Sequence, residues 1–289
     1  RVIGMLLPLI RYLIFKKPDI IFSAEDHLNS IVILASILSF SKAKISVSSR
    51  VTPIDTYRNS NIIFSKGWVL KKLFPIVHWR SNVMTCVSKD MIKQYKKKFS
   101  YSKQIDIYNI IKTSDAYIKM KEKINNTLFK HKKTPIIIAS GKLAKWKGFD
   151  DLIRAAYLLK IKKINFKLVI IGGGEEKKNL NNLIIKYNLA NHVSILNPVL
   201  NILKYFYNSD IFVLSSRVEG MPNVMIEAMM CGCTIVSTNC PTGPREIIGK
   251  NKYGYLSKVN NPKDLSKNII KALKNRIPLK KTNEIINKF

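Results

Sequence analysis

The chain has 289 residues, 46% of them apolar, which is enough for two α/β domains or one large one and too apolar for general disorder. Lysine and arginine number 50 against 18 acidic residues, a formal charge of +32. No apolar run reaches the roughly 18 residues of a membrane span. The two best runs, residues 2–15 and 31–40, are broken by Arg11 and by Ser36 and Ser39, and read as buried or amphipathic helices. Arg1 stands where an initiator Met would, so a chain lacking its true N-terminus is expected, and no signal peptide is visible.

Nucleic acid, an anionic membrane, or a genome that inflates Lys, Ile and Asn would each account for the charge. The lysines are spread along the chain, with short clusters at 96–98 and 131–133, and no aromatic-interleaved nucleic-acid motif accompanies them. The reading adopted is a solvated, Lys-rich surface that favours anionic lipid, with no nucleic-acid partner. Cys86, Cys231, Cys233 and Cys240 lack the paired spacing of a zinc site and read as buried thiols in a reducing cytoplasm; no metal site is expected.

In chain order, Pro18 introduces a strand at 19–22, followed by a helix over 29–40 and a strand at 45–48. Residues 52–67 are irregular, 83–87 form a strand, and Ser88 caps a helix through Tyr95. A last strand at 105–108 ends this part. Residues 1–112 are expected to form a partial N-terminal domain, 113–133 a polar linker with some helix, and 134–289 a C-terminal domain. There the pattern is regular: strands at 136–139, 168–171, 193–196, 211–214 and 234–236 alternate with helices at 149–160, 175–187, 200–207, 224–231 and near Arg245. Such alternation implies βαβ units and a parallel sheet, with ligands at the strand C-terminal edge.

That edge carries the chemistry. The loop Ser140-Gly-Lys-Leu-Ala-Lys-Trp-Lys-Gly148 puts Lys142 and Lys147 beside a helix N-terminus, where cations and free N–H groups suit a diphosphate; a solvated basic loop has the same composition. Gly172-Gly-Gly-Glu-Glu176 reads as a close backbone approach, because its glutamates would repel phosphate. The most informative segment is Ser215-Ser-Arg-Val-Glu-Gly-Met-Pro-Asn-Val-Met-Ile-Glu227. Glu227 lies in a helix apolar on nearly every face, and a carboxylate there needs hydrogen bonds. A ribose diol supplies them; so does a buried Arg or backbone amides. Glu219 lies eight residues earlier, in a loop with Gly220 and Pro222.

The Glu219-to-Glu227 spacing resembles the E-x7-E motif of family 4 glycosyltransferases, and its context, Ser-Arg-x-Glu-Gly-x-Pro-Asn-Val-x-x-Glu-Ala-Met, is more specific than two glutamates. Residues 141–148 resemble the family's donor-phosphate loop, Pro241-Thr-Gly-Pro-Arg-Glu-Ile247 the segment after the next strand, and Tyr108-Asn109 the end of the N-terminal domain. The resemblance spans the chain from about Pro18 onward. It implies an α/β fold of GT-B type, with two Rossmann-like domains facing a cleft and the N-terminal one incomplete. It implies a retaining, metal-independent enzyme without cofactor, moving a sugar from a nucleotide sugar, expected to be a UDP-sugar, to a glycan or polyprenyl-diphosphate-linked acceptor. Glu227 would bind the ribose, Glu219 the sugar at the reacting centre, Lys142 and Lys147 the diphosphate, and the backbone of Gly220, Met221, Pro222 and Asn223 the sugar or phosphate. Lys142 stands where Arg is usual and lacks its bidentate fork. Ser48-Ser49-Arg50 partly matches a strand-end Ser-Glu-Arg of capsule and lipid-linked-oligosaccharide enzymes; Arg50 is an acceptor-side candidate or an ordinary surface residue. His27 and His78 read as structural. A cytoplasmic enzyme peripheral to the inner face of the plasma membrane is the expected setting. An epimerase of the same architecture, a basic nucleic-acid-binding module and an inactive fragment are the competing readings.

Overall fold

The structure is a computed structural model and describes residues 3–50, 79–96, 103–111, 115–129 and 134–289. The irregular segment 52–67, His78, the lysine cluster beyond Lys96 and residues 131–133 lie outside the described residues, as does the side chain of His27. The chain forms two compact units, Arg1–Asn109 and Ile110–Phe289.

In the first unit α1 (Leu6–Lys16), β1 (Ile20–Ala24), α2 (Asp26–Leu38), β2 (Lys44–Ser49), β3 (Val83–Cys86), α3 (Lys89–Lys96) and β4 (Lys103–Asp106) follow in order. The strands pair in parallel as β1-β2-β3-β4. Alternation along β2 turns Ile45, Val47 and Ser49 inward. Ser88 caps α3, its Oγ accepting the Met91 amide at 3.2 Å. The apolar run at the N-terminus does form a helix, α1, but only partly buried: Leu13 is inside, while Leu7, Tyr12 and Phe15 are exposed.

The second unit begins with α4 (Ala116–Met120) and a 3-10 turn (Thr127–Phe129) in the stretch expected as linker. These residues pack within the unit: α4 lies against α7 (Leu203–Tyr207), and the Phe129 ring meets Tyr205 edge-on with centroids 5.3 Å apart. The sheet has β5 (Ile136–Ser140), β6 (Lys167–Ile171), β7 (Val193–Leu196), β8 (Ile211–Leu214), β9 (Thr234–Thr238) and β10 (Tyr255–Ser257). All pair in parallel, in the order β10-β9-β8-β5-β6-β7. The helices are α5 (Phe149–Ile161), α6 (Lys177–Lys186), α8 (Asn223–Met230), α9 (Pro244–Ile248), α10 (Pro262–Lys274) and α11 (Leu279–Ile286).

A sheet covered on both faces needs strands that are apolar throughout, and β8 and all of β5 but its last residue, Ser140, are. Helix α5 packs against α6 and α10, whereas α8 packs against α7 and α11. Each fully buried Ile, Leu or Phe in this core contributes about 2 kcal/mol. From β5 the chain steps outward through β6 to β7; from β8 it steps the other way through β9 to β10. The strand order therefore reverses between β5 and β8. At such a switch point the loops leaving the two strand ends diverge and open a crevice for a ligand. Those two loops carry Lys142, Lys147 and Glu219.

Candidate functional site

The β5 and β8 loops touch at the backbone. Gly148 has φ 63°, and a Cβ there would lie 2.2 Å from the Ser215 carbonyl oxygen, so only glycine lets the loops approach so closely. Ser215 Oγ donates to Lys147 O at 2.8 Å, and the Arg217 amide to Trp146 O at 2.7 Å. Held in this way, Lys147 Nζ reaches Glu219 Oε1 at 2.6 Å, and the same oxygen accepts Ser216 Oγ at 2.6 Å. The pair is mostly shielded, with Lys147 20% and Glu219 11% exposed. Thr242, in the segment after β9, donates its hydroxyl to Glu219 O and fixes the loop from the opposite side.

Lys142 lies differently. It is 59% exposed, 3.9 Å from Glu175, and its ammonium sits 5.3 Å from the Trp146 ring centroid. It borders a cavity of about 240 Å³ lined by Gly141, Gly172, Gly173, Pro198, Val199 and Ile202. The glycine run after β6 is the close approach that its composition suggested: a Cβ on Gly172 would stand 1.9 Å from the Gly141 oxygen. Leu143 N–H donates to Gly173 O at 2.9 Å, so the run supports the β5 loop.

Helix α8 starts at Asn223 with Pro222 before it, and Gly220, Met221 and Pro222 are buried. The Asn223 amide is already engaged, donating to Met221 O at 3.0 Å. Glu227 is less enclosed than a helix apolar on nearly every face suggests. Met225, Ile226, Ala228 and Met229 are buried, but Val224 and Glu227, three residues apart on one face, are only partly so. Burial alone pushes the Glu227 carboxyl above its ordinary value of 4.5. Among the described residues, neither an arginine nor an amide pairs with it.

In the first unit, Arg50 is exposed at the end of β2. Beside it Ser49 Oγ lies 2.5 Å from Tyr95 Oη, and Tyr95 donates to Asp26 Oδ1 at 2.9 Å. Burial raises the Asp26 carboxyl from 3.8 to about 6, against hydrogen bonds from Ser49 and Tyr95 that pull it down. All four cysteines are buried thiols, none of them in a disulfide. Among the described residues, no group of three His, Cys, Asp or Glu side chains is placed to hold a metal, and no helix is long and apolar enough to cross a membrane.

Sequence reasoning therefore named Lys147 and Glu219 separately, and the fold joins them. It left Ser216, Arg217, Thr242 and the Asp150-Asp151 pair without roles, although two acids at a helix start beside a basic loop were a readable signal.

A family model described as glycosyl transferases group 1 matches residues 120–289. An uncharacterised glycosyltransferase of Methanocaldococcus jannaschii is 33% identical over 240 residues, covering 80% of this chain and 58% of the relative. The Campylobacter jejuni N-acetylgalactosamine-N,N'-diacetylbacillosaminyl-diphospho-undecaprenol 4-alpha-N-acetylgalactosaminyltransferase is 31% identical over 235 residues, covering 81% and 61%. The chain thus spans about three fifths of the length of these relatives. Among solved structures, Anabaena HepE in complex with UDP superposes with a TM-score of 0.72 at 17% identity, covering 98% of this chain and 75% of that one. The fold is of GT-B type, and the chain belongs to the glycosyl transferases group 1 family.

Proposed function

We propose that the second unit binds a UDP-sugar and that the protein passes the sugar to a glycan or polyprenyl-diphosphate-linked acceptor with retention of configuration. The observation that carries this reading is the Lys147–Glu219 pair at the switch point, a cation and a carboxylate 2.6 Å apart in a shielded crevice. A nucleotide sugar presents both complements side by side, a diphosphate and a hydroxylated ring. Lys147 takes the phosphate, with Lys142 adding long-range attraction from its exposed position. Glu219 Oε1 is occupied by Lys147 and Ser216, which leaves Oε2 for sugar hydroxyls and for the positive charge that develops on the ring during transfer. Glu227, partly exposed and without a side-chain partner among the described residues, accepts the ribose diol. The cavity beside Gly172 and Pro198 has a largely apolar lining suited to a nucleobase. The backbone of Gly220, Met221, Pro222 and Asn223 faces the phosphate side, with the N–H groups of Gly220 and Met221 as its donors, since Pro222 has none and the Asn223 amide is held by Met221 O.

The lipid-linked acceptor rests on the Campylobacter relative, whose name specifies a diphospho-undecaprenol substrate. Arg50 is proposed on the acceptor side. With lysines supplying the cationic charge, transfer needs no metal and persists in EDTA. The Lys-rich surface holds the protein to the inner, anionic face of the membrane. The decisive experiment is calorimetric titration of the chain with UDP, followed by turnover of UDP-glucose and UDP-N-acetylgalactosamine with bacterial lipid extract as acceptor. Micromolar UDP binding and a lipid-soluble product with unchanged anomeric configuration by NMR are expected. No UDP binding would remove the proposal.

A further inference from the structure

Arg217 is the point at which the two site loops are bolted together. Resting on the nucleotide-sugar reading above, we propose that Arg217 is a positioning residue, holding the Glu219 loop in register with the Lys147 loop so that carboxylate and cation meet a donor at fixed separation. Its Nε donates to Asn260 Oδ1 at 2.7 Å, and its Nη1 to Lys145 O. Its Nη2 donates to Asp150 Oδ2 at 3.0 Å and to Asp151 Oδ2 at 2.7 Å. The backbone of the same residue donates to Trp146 O. One residue of the β8 loop thus grips both the 3-10 turn that carries Lys147 (Lys145–Lys147) and the first turn of α5. Glu219 lies two residues beyond it, on the same loop.

Planar geometry matters here. The guanidinium serves two carboxylates, a carbonyl and an amide oxygen from three nitrogens in one fork, which the single nitrogen of lysine cannot do. The contact also removes an electrostatic conflict. Asp150 and Asp151 begin the helix that follows the phosphate loop, where their charges would oppose a diphosphate. Burial pushes the Asp150 carboxyl up, but hydrogen bonds and charge from Arg154 and Arg217 outweigh it and hold the group below its ordinary range.

The test uses the full chain with Arg217→Lys, which keeps the charge and loses the fork. UDP affinity should stay within about threefold of the unaltered chain, because Lys142, Lys147 and Glu227 remain. Turnover of the better of UDP-glucose and UDP-N-acetylgalactosamine should fall at least tenfold in kcat with little change in KM. The double variant R217K/E219Q should be no slower than E219Q by more than about twofold, since a residue acting through Glu219 has nothing left to act on. Should R217K melt early, Asn260→Gly, which suits the left-handed backbone at that position (φ 55°), removes the Nε contact and carries the same test, with a fall in kcat of about threefold that again vanishes beside E219Q. UDP binding with a normal kcat, or losses that multiply in the double variant, would overturn the positioning role alone. Failure of the unaltered chain to bind UDP would overturn the donor reading and this inference with it.

Discussion

Replacing Glu227 by Gln separates binding from folding with one nitrogen. The carboxylate has a partly open face, is raised in pKa by burial alone, and bonds to no described arginine or amide. The folded protein therefore gains little from its charge, and Gln should leave the melting temperature unchanged or slightly higher. Binding is a different matter. A ribose diol offers two hydroxyl donors, and a hydrogen bond to a charged group is worth about 1.5–3 kcal/mol. Gln keeps one acceptor oxygen and turns an NH₂ toward the second hydroxyl, so a loss of about 2 kcal/mol is expected, roughly 30-fold in UDP affinity at 1.4 kcal/mol per decade. Calorimetry of UDP against both proteins, with thermal melts alongside, measures the two effects independently. Because the ionised form is the acceptor, UDP affinity of the unaltered chain should also rise with pH as Glu227 ionises above its ordinary 4.5, and that rise should be absent in the variant. A variant that binds UDP normally but melts well below the unaltered chain would make Glu227 a structural carboxylate and refute the ribose role.

The two lysines should prove unequal. Lys147→Ala, which strips a shielded cation and leaves Glu219 uncompensated beside the phosphate, should weaken UDP by about 2–3 kcal/mol, whereas Lys142→Ala, at an exposed position, should cost about 0.5–1 kcal/mol; calorimetry distinguishes them. Glu219→Gln should hold UDP affinity within about threefold and raise the barrier behind kcat by about 2–3 kcal/mol, since its proposed partner is the sugar at transfer. In the first unit, Asp26 has a folded pKa of about 6 against 3.8 unfolded, so its contribution to stability is fully present below pH 3.8 and lost as pH rises through 6. Measured against Asp26→Asn, the unaltered chain should lose about 3 kcal/mol over that interval, and a pH-independent difference would place Asp26's charge elsewhere. Binding to anionic vesicles should be strong at 0.1 M salt and nearly gone at 1 M, where the screening length drops from about 10 Å to about 3 Å; retention at 1 M would point to a hydrophobic contact such as the exposed face of α1.

How much was legible in the sequence follows from how each feature is encoded. Strands β5, β6, β7 and β8 are apolar runs bounded by turn residues, and their observed limits lie within a residue of those read from pattern alone. β4 is displaced by two residues, because a short edge strand takes its limits from its partner: the Val83–Lys103 to Cys86–Asp106 register with β3 decides where it begins. Beyond residue 248 the sequence pattern predicts no elements, whereas the structure has β10, α10 and α11 there. β10 is three residues long, too short for a period, while the lysines of α10 mask its buried stripe of Leu265, Ile269 and Ala272, and α11 buries only Thr282 and Ile285. The site divides along the same line. Candidate site residues marked by their own type, the paired lysines and the two glutamates, announce themselves by spacing. Residues that act through placement do not. Nothing in the sequence puts Lys147 within 2.6 Å of a carboxylate 72 positions away, or turns Arg217 onto Asp150 and Asp151. That pairing comes from a strand order that reverses between β5 and β8, and from one glycine, Gly148, that lets the two loops touch. A substitution at Gly148 should accordingly damage Lys147, Arg217 and Glu219 together, although none of the three is altered.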